Sequence, residues 1–392
     1  MEKINTVLCH YGEESAKKFG SVVPPIYQNS LFTFEKWDSL VEAFSSPDDS
    51  YIYTRGNNPS VEVVENKIAK ICKGEKARLF SSGMGAISSV LMHCLNNGDH
   101  VIVAKNVYST TSNFIKNYLT LKFNITYSII EDTDIEVIKS LINDKTKAIY
   151  LESPTSKLLT MYDISKITEL AKERNIKTII DNTWATPVFF NPLQLGIDFE
   201  IHSCSKYIGG HSDIVAGVVI ATEKEINAIS HEELSFLGAK IAPFEAWLIM
   251  RSLRTLPLRM RQHFESAVEV TNFLENHKCV REVFYPALKS SQYHDLWKKQ
   301  MSGAAGVFAF NLNTNNVDNI IAFINKLKIF KIGISWGGHE SLVYATSISN
   351  LEAVKAQKKT EFPLGMIRLS IGLENVEDLI EDLREALKCI EE

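Results

Sequence analysis

The chain has 392 residues, 45% of them hydrophobic and 23% charged, with a formal net charge of −5. That is ordinary globular composition, long enough for two domains with one sizeable core each. Mild acidity and the lack of a long basic run argue against nucleic acid or anionic membrane as the main partner. No stretch approaches the roughly 18 consecutive apolar residues of a membrane span.

The opening Met1-Glu2-Lys3-Ile4-Asn5 lacks the apolar core of a secretory signal. Six cysteines (Cys9, Cys72, Cys94, Cys204, Cys279, Cys389) are scattered, without a Cys-x-x-Cys pair or zinc-ligand spacing to a histidine. No metal is expected. The thiols read as small buried hydrophobes in a reducing compartment, with the cytoplasm as the expected location.

Taken in chain order, about the first 50 residues look irregular, with Pro24-Pro25 and a polar stretch from Ser45 to Ser50. An arm over 1–55 is expected to pack on the body or on a neighbouring subunit. Val61, Val64, Ile68 and Ile71 then fall on one helical face, which Gly74 closes. Six short Val- and Ile-rich runs follow, alternating with helical stretches: 77–80, 100–104, 125–130, 148–151, 178–180 and 214–221. Such runs predict strands buried on both faces of a mostly parallel sheet, hence a large α/β domain over 56–250. Helical texture resumes over 244–256 and on to about 277. Strands at 307–312 and 366–371 and a final helix with an apolar stripe (Val376, Leu379, Ile380, Leu383, Leu387, Ile390) complete a smaller α+β domain over 251–392. No repeat is present, so a solenoid is excluded.

Several segments carry chemistry. In Ile179-Ile180-Asp181-Asn182-Thr183-Trp184 an apolar strand ends in an acid, where strand carboxyl ends line a crevice. Asp181 there can pair with a protonated ring nitrogen, as a pyridoxal 5'-phosphate (PLP) site requires; alone, it also reads as a strand-end cap or a metal carboxylate. In His202-Ser203-Cys204-Ser205-Lys206-Tyr207-Ile208-Gly209-Gly210 a lysine lies between hydroxyls and paired glycines. Lysine forms imines readily once its amine is freed. On an extended segment Ser203 and Ser205 would point to one side and could meet one phosphate; Lys206 alone reads as a surface residue in a glycine-rich loop.

Ser81-Ser82-Gly83-Met84-Gly85-Ala86 opens a helix, where backbone N–H groups and the helix dipole favour an anion; a plain tight turn is the other reading. Tyr108, following a strand, can stack on a ring or sit in the core. Arg368, on the strand 366–371, is a candidate bidentate clamp for a carboxylate or a surface salt-bridge partner. Together these supply a phosphate cradle, a ring-nitrogen partner, a stacking aromatic, an imine-forming lysine and a carboxylate clamp.

From about Tyr53 to the C-terminus the chain resembles the cystathionine and methionine metabolism branch of fold-type I PLP enzymes. Seven ordered motifs carry the resemblance: YTRGNNPS from Tyr53, SSGMGA from Ser81, Glu152-Ser153-Pro154, IIDNTWATP from Ile179, HSCSKYIGGHSD from His202, Leu253-Arg254-Thr255-Leu256 and SWGGHESL from Ser335. The resemblance implies a PLP-dependent transferase-like fold and assigns roles. Lys206 would be the Schiff-base lysine and the acid/base at Cα. Asp181 would pair with the pyridine nitrogen, with Thr183 nearby. Gly83, Met84, Ser203 and Ser205 would bind phosphate, and Tyr108 would stack on the ring. Tyr53 and Arg55 would reach the phosphate of the neighbouring subunit, implying a homotetramer built from dimers that share active sites. Arg368 with Ser335 would hold the α-carboxylate of a sulfur amino-acid substrate.

The segment from Ile334 to Leu342, together with Tyr285-Pro286-Ala287-Leu288 and Ser302-Gly303-Ala304-Ala305-Gly306, resembles cystathionine β-lyases of the bacterial type. The γ-synthases and γ-lyases more often carry Glu where Ile334 stands, and β-lyases Tyr. Ser156, where γ-type members usually have Asn, and Thr110, where methionine γ-lyases carry Cys, tip the expectation to β-elimination of cystathionine. The γ-type reactions are the alternative. Trp336 and His339 are left without a role. A non-catalytic scaffold is the reading from another class, opposed by the presence of Lys206, Asp181 and Arg368 together. A nucleotide-binding dehydrogenase fails for want of a GxGxxG after the first strand.

Overall fold

The computed structural model describes residues 3–14, 17, 19–348 and 362–391. They divide into two compact units, the first comprising 1–152, 163–209 and 213–257, the second 153–162, 210–212 and 258–392.

The first unit is built on a seven-stranded sheet: β1 (Lys76–Phe80), β2 (His100–Ala104), β3 (Thr126–Ile130), β4 (Thr146–Glu152), β5 (Lys177–Asp181), β6 (Phe199–Ser203) and β7 (Gly217–Ala221). Their spatial order is β1-β7-β6-β5-β4-β2-β3. Only β7 runs against its neighbours. The wholly buried faces of β2 and β7 explain why β7, and β2 after His100, are unbroken apolar runs.

Connecting helices obey the same local chemistry. The helix Pro59–Cys72 begins with Asn58, whose side chain accepts the Ser60 N–H at 2.9 Å, and with Pro59 in its first turn. It ends on Lys73 in the left-handed conformation (φ 60°), one residue before the glycine expected to close it. The helix Ile164–Glu173 is capped by Asp163 and buries Ile164, Ile167, Leu170 and Ala171, a 3–4 spacing that lays one apolar face on the sheet.

Two features differ from the sequence reading. The strand β6 was not expected, because Glu200 and His202 interrupt its apolar pattern although both are fully buried. The early residues, read as irregular, contain the helices Ile4–His10 and Trp37–Ser45. The first is tied down by Lys67, a fully buried lysine whose ammonium donates to the Leu8 carbonyl (3.0 Å) and pairs with Glu13 (3.0 Å). Arg254 reaches the same carboxylate at 2.9 Å. Burial alone would raise the Glu13 pKa, but the bonds from Arg254 and Lys67 hold it below the ordinary carboxylate value.

The second unit carries a five-stranded sheet of β8 (Val280–Phe284), β9 (Val307–Leu312), β10 (Lys331–Ile332), β11 (Leu342–Ala345) and β12 (Met366–Ser370), in the order β10-β11-β12-β9-β8. All pairs are antiparallel except β10 with β11. The helices Val317–Lys326 and Val376–Glu391 pack on each other, the latter burying Leu379, Leu383, Ala386 and Leu387. Among the described residues no helix is long and apolar enough to cross a membrane.

Candidate active site

The carboxyl edge of the large sheet gathers most of the residues singled out in the first unit. Asp181 is the last residue of β5 and is 8% exposed. Thr183 donates to its Oδ1 through both the backbone N–H (3.0 Å) and the hydroxyl. The Thr183 hydroxyl oxygen in turn accepts the Ser203 N–H at 2.8 Å, tying the end of β6 to Asp181. Burial raises the pKa of this carboxyl, and the Thr183 bonds and the nearby His202 and Lys206 charges oppose that rise. A carboxyl in so poorly hydrated a place is suited to a cationic partner, which would favour its ionised form.

Lys206 lies in the turn that follows β6, three residues after the Ser203 that bonds to Thr183. The turn is closed by Lys206 N–H to the Ser203 carbonyl (3.1 Å) and Gly209 N–H to the Cys204 carbonyl (2.8 Å). It is not the extended segment on which Ser203 and Ser205 were expected to alternate. The Ser205 hydroxyl oxygen instead accepts the Ala216 N–H at 3.0 Å.

The Ser82-Gly83 turn sits beside Ser203. Ser82 caps the helix Gly83–Cys94 by accepting the Gly85 N–H at 2.9 Å. A Cβ at Gly83 would fall 3.0 Å from Ser203 Cβ and 3.1 Å from its Oγ, filling the space between helix N-terminus and hydroxyl. One at Gly217 would meet the Ser82 carbonyl at 2.3 Å, so β7 can start there only without a side chain. Met84 is in the first turn of the same helix. The result is a pocket of backbone N–H groups and one hydroxyl at the positive end of a helix.

Tyr108 directly precedes the helix Ser109–Phe114, with a half-exposed ring. Its N–H donates to the Glu152 carboxylate at 2.7 Å. Glu152 pairs in register with Asp181 across β4 and β5, so one buried acid links the aromatic to the strand end that carries the other. The sequence reading quoted Glu152 only as part of a motif and gave it no role. Tyr53 is half exposed, and within this chain Arg55 donates to the Ser235 carbonyl (2.6 Å) and hydroxyl (3.0 Å).

In the second unit, Arg368 on β12 donates to the Ile334 carbonyl at 2.7 Å and the Ser335 carbonyl at 3.4 Å, with its guanidinium 5.4 Å from the centre of the Tyr344 ring. The structure therefore brings Arg368 and Ser335 together. Burial lowers the Arg368 pKa from its ordinary value. Ile334 projects its side chain outward, 79% exposed.

A mostly parallel sheet whose carboxyl edge holds an anion cradle, a buried acid and a lysine defines an enzyme of the fold-type I, PLP-dependent transferase-like class. The chain belongs to the Cys/Met metabolism PLP-dependent enzyme family, whose model matches residues 5–388. It is 37% identical over 394 aligned residues to a cystathionine beta-lyase of Lactococcus lactis subsp. cremoris, covering 99% of this chain and 100% of that one. An L-methionine gamma-lyase of Porphyromonas gingivalis is 35% identical, over 97% of this chain and 96% of its own length. The crystal structure of a cystathionine gamma-lyase from Lactobacillus plantarum complexed with L-serine matches with a TM-score of 0.88 at 32% identity, over 100% of both chains.

The cofactor of the family is PLP. The site fits that molecule. The helix N-terminus beside Ser203 keeps open the volume a Gly83 side chain would take, as a phosphate needs, and the buried Asp181 offers a carboxylate to a protonated pyridine nitrogen.

Proposed function

We propose that this chain, a member of a family of PLP-dependent trans-sulfuration lyases, cleaves the Cβ–S bond of cystathionine: cystathionine and water give homocysteine, pyruvate and ammonia. The observation that carries the chemistry is the buried Asp181, tied through Thr183 to Ser203, whose carbonyl in turn accepts the Lys206 N–H. The preference for β-cleavage rests on the Ser335-Trp336-Gly337-Gly338 loop beside Arg368 and on the similarity to the Lactococcus protein.

In this reading Gly83, Met84, Ser203 and Ser205 hold the cofactor phosphate, Asp181 with Thr183 holds the ring nitrogen, Tyr108 covers the ring, and Lys206 is the covalent anchor. When bound, the cofactor supplies an electron-accepting ring that stabilises negative charge at the substrate Cα. Arg368, with Ser335, fixes the substrate α-carboxylate and so orients the Cα–H bond. The Lys206 amine takes the Cα proton at Nζ as general base. Tyr108 is assigned, beyond covering the ring, an assisting part in proton transfer. The carbonyls of Ile334 and Ser335 hold the guanidinium in one orientation before substrate arrives.

A γ-type reaction is the second reading, supported by relatives of nearly equal identity that carry gamma-lyase names. Incubation of purified protein with cystathionine separates the two. Pyruvate is the expected keto acid, whereas 2-ketobutyrate assigns the enzyme to γ-cleavage. Formation of cystathionine from cysteine and an activated homoserine ester would instead make it a synthase. Lys206→Ala is expected to lose both turnover and the visible absorption of the bound cofactor; full activity in that variant would refute the lysine assignment.

The active form in this proposal is a cytoplasmic homotetramer of site-sharing dimers, Tyr53 and Arg55 lending their side chains to the neighbouring subunit's phosphate. The early residues give this support, for Phe19 (108%), Trp37 (76%) and Phe44 (64%) carry large apolar side chains into solvent.

A further inference from the structure

The face of the large sheet opposite Asp181 carries a buried polar cluster that the reaction does not use. In β6 successive side chains alternate between faces. Ile201 pairs with Asp181, so Glu200 and His202 lie on the other side. Glu200 Oε1 accepts from Asn182 Nδ2 at 2.7 Å and lies 2.8 Å from His202 Nε2. Cys72 Sγ is 3.8 Å from that same ring nitrogen, and Asn182 also donates to the Phe190 carbonyl at 3.0 Å. All four side chains are at most 1% exposed. Cys72, Glu200 and His202 place one donor atom each within 4.8 Å of the others, and Glu200 Oε1 already engages both Asn182 and His202, which makes it the centre of a hydrogen-bonded clip.

The energetics of this clip are poor. Glu200 Oε2, His202 Nδ1 and Asn182 Oδ1 are buried without a hydrogen-bond partner. Burying polar groups in that state costs stability; replacing the whole cluster by apolar groups is the kind of change that is often neutral or stabilising, whereas removing one member strands its partners. What the clip supplies is geometry. Asn182 directly follows Asp181, and His202 directly precedes Ser203. On one face the ends of β5 and β6 are joined through the Thr183 hydroxyl, and on the other through Glu200.

We propose that Glu200 is a positioning residue for the cofactor: by gripping Asn182 and His202 it fixes the spacing between Asp181 and Ser203, and so between ring-nitrogen partner and phosphate cradle. This rests on the assignment of those two residues to the cofactor made above. The test compares Glu200→Leu, Glu200→Gln and Asn182→Ala with the parent holoenzyme. It reads the cofactor dissociation constant, the visible spectrum, and the thermal midpoint of the cofactor-stripped protein.

Glu200→Leu should bind cofactor at least about tenfold more weakly, and its stripped form should also melt lower, because the Asn182 amide and the His202 ring lose their buried acceptor. Glu200→Gln, whose amide oxygen can accept both bonds, should stay within about threefold. If Glu200→Leu does not fold, Asn182→Ala carries the test with the same expected loss. Affinity within about threefold of the parent and an unchanged spectrum, in Glu200→Leu or in the substitute, overturns the proposal. An Asp181→Asn protein run alongside separates the two levels: if its cofactor affinity and spectrum match the parent's, the assignment of Asp181 fails rather than the role of Glu200.

Discussion

The chemistry proposed for Asp181 depends on a charge in a place that does not favour one. Burial raises its pKa, and Thr183, His202 and Lys206 restrain the rise, so the carboxylate gains most when a cation is set against it. Asp181→Asn keeps the shape and removes the charge. Turnover should fall by about 10²-fold or more, the scale seen when a preorganised electrostatic partner is lost, as steady-state rates with saturating cofactor would show. A change of less than about threefold would mean that Asp181 does not face the ring.

His263, buried in the second unit, gives a separate readout. Its Nδ1 lies 2.8 Å from the Ile371 carbonyl, and burial lowers its pKa from 6.5 to about 4. The folded state therefore disfavours the protonated ring. Stability is full above the unfolded pKa and is lost as pH falls from 6.5 toward 4. From pH 7 to pH 5 this group should remove about 2 kcal/mol. Denaturant titrations at the two pH values should show that loss in the parent and a smaller one in His263→Gln; equal losses would refute it.

At the scale of elements, the early helix Ile4–His10 is held by charge rather than by length. Glu13 is the common partner of Lys67 and Arg254, and removing it strands a buried ammonium. Glu13→Ala should cost about 3 kcal/mol in chemical denaturation, and a cost below about 1 kcal/mol would show that the lysine finds another partner.

Legibility in the sequence follows the same physics. β7, and β2 after His100, could be read because both their faces are buried and apolar, and the final helix because one stripe repeats at helical spacing. β6 could not, since its clip residues are polar on an interior face; a Glu-x-His pair between apolar residues was the signal available. The Lys206 and Asp181 motifs were visible as residue types at a strand end. The turn that Lys206 occupies was not, because it is closed by backbone bonds that leave no pattern in the side chains.

At the scale of the molecule, each unit has its own sheet, and the residues proposed for the cofactor belong to the first while Arg368 and Ser335 belong to the second. The exposed apolar side chains of the early segment call for a cover, and the proposed tetramer provides one. Sedimentation should give a mass about four times that of the chain, and Tyr53→Ala should weaken cofactor binding without changing that mass. An active monomer would contradict the shared site.

The central claim is that the amine at position 206 carries the cofactor covalently. Borohydride reduction of the holoenzyme, followed by proteolysis and mass analysis of the peptides, tests it most directly. The account predicts a phosphopyridoxyl group on Lys206 alone. The same group found on another lysine, or on none, would contradict it.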